Sequence, residues 1–211
     1  MTGRRPGVSI AGVEIVLASA SPRRRELLGL AGVPHRVQPS EVEETRAPGE
    51  SPAGFAERAA LDKARAVARG CPAGAWVLGA DTVVVAGDEV LGKPRDREDG
   101  RRMLRLLSGR THQVVTGVAL VEAPAGRQAV FCTETAVAFR PLDEAWIEGY
   151  LDSGEPMDKA GAYGIQGRGA LLVAGIQGSY TNVVGLPLGE TVLLLERNGL
   201  FRAFSRSRGG A

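Results

Sequence analysis

Four short stretches of this chain carry side chains suited to phosphate chemistry. The first is Leu17-Ala18-Ser19-Ala20-Ser21-Pro22-Arg23-Arg24-Arg25. An apolar run ends, small hydroxyl residues turn the chain, and Ser-Pro opens a helix. The unpaired N–H groups of a helix start favour an anion. Arginines in a first turn oppose the usual polarity, which places cations at the other end. A polyphosphate at this turn would offset that conflict. A solvated arginine patch on a surface helix is the alternative. The Walker pattern is absent, so this is not a P-loop.

The second stretch is Gly79-Ala80-Asp81-Thr82, inside the apolar run 76–85. A buried carboxylate must be paired, ligate a metal or carry a raised pKa. Asp81 is therefore a candidate metal ligand or a base for water. The alternative is a structural aspartate accepting backbone N–H bonds at a strand kink. The third stretch is Leu91-Gly92-Lys93-Pro94, where hairpin pairing returns Lys93 towards Asp81. A lysine beside a small residue can meet phosphate as a point charge. The fourth runs from Asp158 and Lys159 to Gln166 and Gly167. Its glycines let backbone approach a flat ligand, and the Gln166 amide offers both a donor and an acceptor for a base edge. A long loop packed on itself is the alternative there.

The remaining chemistry is sparse. With 26 basic and 24 acidic residues the net charge is +2, too balanced for a general nucleic-acid or membrane binder. Only Lys63, Lys93 and Lys159 are lysines; the other basic residues are arginines. Two cysteines, Cys71 and Cys132, form no framework or CxxC site, which makes a reducing compartment the default. His35 and His112 lack ligand spacing and read as structural or solvated. No Ser-His-Asp or Cys-His arrangement is visible, which favours metal-assisted phosphate chemistry over covalent acyl chemistry.

The elements that must position these residues are legible. A chain of 211 residues fits one domain, or one domain in two lobes. Arg4-Arg5 and an apolar stretch imitate a signal peptide, but Glu14 interrupts the run, and 14–19 reads better as a buried strand. No apolar run reaches the ~20 residues of a membrane span. Ser21-Pro22 and Ser51-Pro52 start helices, the second running to about Arg69. A strand over 76–85 turns at Gly87-Asp88 and returns through 89–91. Asp96 caps a helix to Leu107, and long strands follow near 112–122 and 127–139. Asp143 caps a short helix to about Leu151. A strand near 170–176 and a loop over 178–187 lead to a last helix over 188–197. Helices early and paired strands late predict an α/β fold with a mixed sheet.

Taken in order, the stretches ASASPRR, the acidic loop ending at Glu44, ALDKA, GADTVV, LGKP, LSGRTHQVVTG, DKAGAYGIQG and GSYTNVVGLPL resemble the Maf family of nucleoside triphosphate pyrophosphatases, also called septum-formation proteins. The resemblance implies an elongated mixed β-sheet flanked by helices, two lobes with a central cleft (Maf/ITPase-like). It implies a cytoplasmic homodimer that splits a nucleoside triphosphate between its α- and β-phosphates, with a divalent metal cation (Mg or Mn). By this resemblance Asp81 is the proton acceptor, assisted by Glu44, with both as metal ligands. Ser19, Arg23, Arg24, Lys63 and Lys93 are the other polar cleft residues. Arg23, Thr82 and Gln166 match the branch acting on dTTP and UTP, with Gln166 complementing the base edge and Thr82 fixing one end. The same reaction on 7-methyl-GTP, or a non-catalytic nucleotide sensor of cell division, are the competing readings. The expected domain spans 14–198, between a flexible extension (1–13) and a flexible basic tail (199–211).

Overall fold

The computed structural model describes residues 8–9 and 13–204. Along these the chain forms β1 (Val8–Ser9), β2 (Ile15–Leu17), α1 (Pro22–Leu30), β3 (Arg36–Val37), α2 (Pro52–Ala68), β4 (Trp76–Ala86) and β5 (Glu89–Leu91). It continues through α3 (Arg97–Leu107), β6 (Thr111–Glu122), β7 (Gln128–Phe139) and α4 (Glu144–Asp152). Three short 3-10 turns then precede β8 (Val173–Gln177), α5 (Tyr180–Val184), α6 (Leu188–Arg197) and β9 (Phe201–Arg202).

The helix starts are local chemistry. Ser21 accepts from the Arg24 N–H, Ser51 from Gly54, Asp96 from Asp99 and Asp143 from Trp146. Each such cap contributes about 1 kcal/mol. The expected strand near 170–176 begins only at Val173, because 167–172 winds as a 3-10 turn. The expected loop over 178–187 contains α5, capped by Ser179.

Seven strands form one mixed sheet in the order β3-β2-β4-β6-β7-β8, with β5 also on β4. β2 runs parallel to β3 and β4, and the other pairs are antiparallel. The α/β reading with a mixed sheet holds. One edge of β4 is shared. β2 pairs with Trp76–Leu78 and β5 with Val84–Ala86. Between them, residues 79–83 have no strand partner on that edge among the described residues. This gap in the sheet is the architectural origin of the cleft.

Side-chain alternation along β4 explains why the gap is polar. On one face Leu78 and Ala80 join a core with Leu28, Leu186, Leu195 and Phe201, whereas Val84 joins a second core with Leu104, Leu107 and Ile147. Thr82 lies between them and pairs across the sheet with Thr116. On the other face Val77 packs with Ala60, Ala64 and Val67 of α2, whereas Val83 packs with Phe55 and Ala59. Asp81 lies between those two groups. The polar pair in an apolar strand thus marks the seam where the cores meet.

His112 belongs to the second core. Its Nε2 is 2.7 Å from the Tyr163 hydroxyl, and its ring meets Phe139 and Tyr163 edge-on. Nδ1 has no partner, so a charged ring would bury an unanswered N–H. Burial pushes its pKa down from 6.5 to about 4. The unfolded chain therefore binds more protons than the native one between those values. We expect about 3 kcal/mol of stability, present above pH 6.5, to be lost as pH falls towards 4. Urea unfolding across that range checks this; His112→Gln should lose that component of the slope.

The described part of each chain end is ordered against the domain. Leu200 and Phe201 are buried in the first core, and β9 pairs antiparallel with β1. Apolar side chains at 200 and 201 find room against α6. Residues 1–7, 10–12 and 205–211 lie outside the described residues.

Candidate functional site

Close packing of α2 on the sheet builds the acidic centre. The inward face of α2 is alanine-rich, with Ala56, Ala59, Ala60 and Ala64 buried. It meets glycines on the strands. A Cβ at Gly79 would stand 2.2 Å from the Ala60 carbonyl oxygen, and one at Gly117 2.2 Å from that of Ala56. Only glycine admits so near an approach. Gly117 is also the cross-strand partner of Asp81. At this spacing Lys63, on the same helical face as Ala60 and Val67, reaches the carboxylate directly. Lys63 Nζ donates to Asp81 Oδ1 at 2.7 Å and pairs with Glu44 Oε1.

Lys63 and Asp81 are buried, whereas Glu44 is half open to the cleft. Burial by itself would push the Asp81 carboxyl up; the Lys63 ammonium, the neighbouring Glu44 carboxyl and the Arg24 guanidinium outweigh it and hold the group below its ordinary range. Burial and the neighbouring Asp81 charge push Glu44 the opposite way. Two neighbouring carboxylates repel, so the pair is pushed apart, Asp81 down and Glu44 up. Asp81 Oδ2 is buried with no hydrogen-bond partner among the described residues.

The basic side is organised by Arg24. Its Nη1 donates to Ser19 Oγ at 3.0 Å, Nη2 to Thr82 Oγ1 at 3.0 Å and Nε to the Gly185 carbonyl at 2.8 Å. Burial lowers its pKa, against the attraction of Asp81 and Glu44. Arg24 is thus a buried strut that joins the start of α1, β4 and the end of α5, and it projects positive potential into the cleft. Thr82 is absorbed in the same network. Its hydroxyl is 3.0 Å from Thr116 Oγ1, whose own proton goes to the Asn182 carbonyl. The Thr82 hydroxyl also reaches the Gly185 carbonyl at 3.5 Å, so it is engaged on several sides within the protein.

Arg23 and Lys93 stand at the open walls. Arg23 Nη1 donates to Asp158 Oδ2 at 3.2 Å across the cleft, and Asp158 is also paired with Lys159. Lys93 is exposed just beyond β5. The start of α1 and the loop after β5 enter the gap beside β4, because β2 and β5 end there.

Ser19, Arg23, Arg24, Glu44, Lys63, Asp81, Thr82, Lys93 and Gln166 all line one cleft of about 1050 Å³. All nine residues singled out from the sequence are therefore gathered together. Sequence reasoning passed over Glu155, which lines the same cleft, and Tyr150 behind it. A lone acid before Pro156 in a Gly-rich stretch gives no periodic or spacing signal.

Gap, acid pair and basic walls share one cleft whose chemistry suits a phosphate-bearing ligand. The chain belongs to the Maf family: residues 14–198 match the model of the Maf-like proteins. Over 182 residues it is 58% identical to a Moorella thermoacetica protein named dTTP/UTP pyrophosphatase, covering 86% of this chain and 93% of that one. Over 187 residues it is 55% identical to a Myxococcus xanthus protein of the same name, covering 88% and 93%. The fold resembles that of a HAM1 protein from Coxiella burnetii, with a TM-score of 0.50 at 16% identity over 88% of this chain and 99% of that one.

Proposed function

We propose that this chain hydrolyses dTTP and UTP to the monophosphate and pyrophosphate by water attack at the α-phosphorus. One observation carries the reading: the buried Asp81, paired with Lys63 beside Glu44, lines the same cleft as Arg23, Lys93 and Gln166. The relatives' names supply the substrate class. Asp81 takes the proton of the attacking water as the new P–O bond forms. The Pα–O bond to the β-phosphate breaks, and pyrophosphate leaves with that electron pair. Arg23 and Lys93 neutralise charge on the leaving group, and the potential of buried Arg24 and Lys63 adds to theirs. Thymine and uracil present an N3–H between two carbonyls, an edge the Gln166 amide complements.

The donor set fits a divalent cation. Asp81 Oδ2 is a buried oxygen with no hydrogen-bond partner among the described residues, and Glu44 shares the Lys63 ammonium with Asp81. Among the described residues no group of three His, Cys, Asp or Glu is assembled. Magnesium is ordinarily held by one or two carboxylates plus substrate phosphates, so Asp81 and Glu44 with the triphosphate suffice. The ion, magnesium or manganese, would neutralise phosphate charge as a Lewis acid. A cytoplasmic homodimer belongs to the same reading, on the family resemblance. No helix of the described residues is long and apolar enough to cross a membrane.

The test is a panel of dTTP, UTP, CTP, ATP, GTP and 7-methyl-GTP, with magnesium or manganese, followed by pyrophosphate release. dTTP and UTP should exceed the others by about 10-fold or more in kcat/KM, as a site that hydrogen-bonds one base edge discriminates. In ¹⁸O-water the label should enter the monophosphate. Preference for 7-methyl-GTP, binding without turnover, or label in pyrophosphate would each overturn the proposal.

A further inference from the structure

Gln166 sits in a loop held at both ends by two side chains with no part in the chemistry above. Tyr150, in α4, is buried. Its hydroxyl accepts from the Gly164 N–H at 3.1 Å and donates to Glu155 Oε1 at 3.0 Å. The Glu155 carboxylate accepts further from Gly169 N–H at 3.0 Å on Oε1 and from Arg168 N–H at 2.9 Å on Oε2. Glu155 is itself anchored, since its N–H donates to Ser153 Oγ and its carbonyl accepts from Lys159 Nζ at 2.6 Å.

The glycines of the loop fit this clasp sterically. A Cβ at Gly167, where φ is +65°, would stand 2.7 Å from Glu155 Oε2. One at Gly169 would stand 2.1 Å from the Gly164 carbonyl oxygen and 2.6 Å from the Tyr150 hydroxyl. Three backbone N–H groups, at 164, 168 and 169, are thus bound to one phenol–carboxylate pair. Gln166 lies between them in extended backbone, exposed, on the wall of the cleft. The amide of a glutamine reads a base only if its orientation is set before the base arrives, because an unheld loop loses its freedom on binding.

We propose that Tyr150 and Glu155 are positioning residues for base selection, clasping residues 164–169 so that Gln166 meets the pyrimidine edge in one orientation. This rests on the reading of Gln166 under Proposed function. The clasp touches neither phosphate nor attacking water, so its loss acts on discrimination between bases.

The experiment compares the full-length chain with Tyr150→Phe, Glu155→Gln, Glu155→Asp and Gln166→Ala, measuring kcat and KM for UTP and CTP and the melting temperature. Tyr150→Phe and Glu155→Gln should lower the UTP-to-CTP ratio of kcat/KM by about 10-fold, mainly through a higher KM for UTP. Glu155→Asp, which keeps the carboxylate, should recover part of that ratio. In the Gln166→Ala background, Tyr150→Phe should lower the ratio no further, because the two act as one unit. A purely structural role would instead depress both nucleotides equally, and that result overturns the proposal. So does a ratio change that adds to that of Gln166→Ala. If Gln166→Ala itself leaves the ratio intact, the base-reading role of Gln166 falls, and the clasp falls with it. If Gln166→Ala relaxes the ratio but the clasp variants do not, only the clasp fails. Should Glu155→Gln not fold, Tyr150→Phe, which removes a single hydroxyl, decides.

Discussion

Asp81→Asn is expected to lower pyrophosphate release from dTTP by about 10²–10⁴-fold, the range for loss of a positioned general base. Binding of the triphosphate should persist. The asparagine keeps the shape of the side chain and a carbonyl oxygen for Lys63 Nζ, while Lys63 retains Glu44 as a partner. The arginine-bearing turn is untouched, since Arg24 is held by Ser19, Thr82 and the Gly185 carbonyl rather than by Asp81. Turnover followed by a pyrophosphate-coupled assay, with dTTP affinity measured by calorimetry in parallel, separates the two quantities. Turnover equal to the parent would remove Asp81 from the chemistry.

Lys63→Met should have the largest effect on the fold. The lysine is the only cation in direct contact with the Asp81 carboxylate among the described residues. Methionine preserves most of the side-chain volume under α2 and removes the charge. Breaking a buried pair by deleting one partner leaves an unanswered charge and costs about 3 kcal/mol or more. For a domain of this size each kcal/mol moves the melting temperature by about 2–4 °C, so a fall of roughly 6–12 °C is expected. Adding Asp81→Asn should restore part of the loss, because the stranded charge is then gone. A single mutant as stable as the parent, or a double mutant additive in its two losses, would show that the pair is not coupled as described. Activity should fall as well, since Asp81 would lose the ammonium that orients its carboxylate.

The other residues gathered at the site contribute differently from what their charges suggest. Arg24 resembles Arg23 in sequence, yet the first is a buried strut and the second an accessible cation bound to Asp158. Thr82 looks like a free hydroxyl beside a catalytic acid, yet it is held by Arg24, Thr116 and the Gly185 carbonyl. Such distinctions arise from which face of β4 or α1 a residue occupies, and from which core closes over that face.

Much was determined by the chain taken locally. Ser21, Ser51, Asp96 and Asp143 each start a helix because a side-chain oxygen three residues back answers an orphan N–H. Apolar and β-branched runs over 76–86 and 111–139 make strands, and Gly87 turns the hairpin, with φ at +59°. An acid in such a run is conspicuous, so Asp81 was visible without coordinates. Tertiary structure alone decided the rest. Glu44, Lys63 and Asp81 come from a loop, a helix and a strand; they meet because glycines at 79 and 117 let an alanine face lie directly on the sheet. Leu200 and Phe201 enter the core only because α6 turns the chain end back onto it. The Tyr150–Glu155 clasp joins residues that share no period and no motif. Local chemistry reaches as far as one turn or one strand pair. Which buried groups face each other is a property of packing between elements distant along the chain.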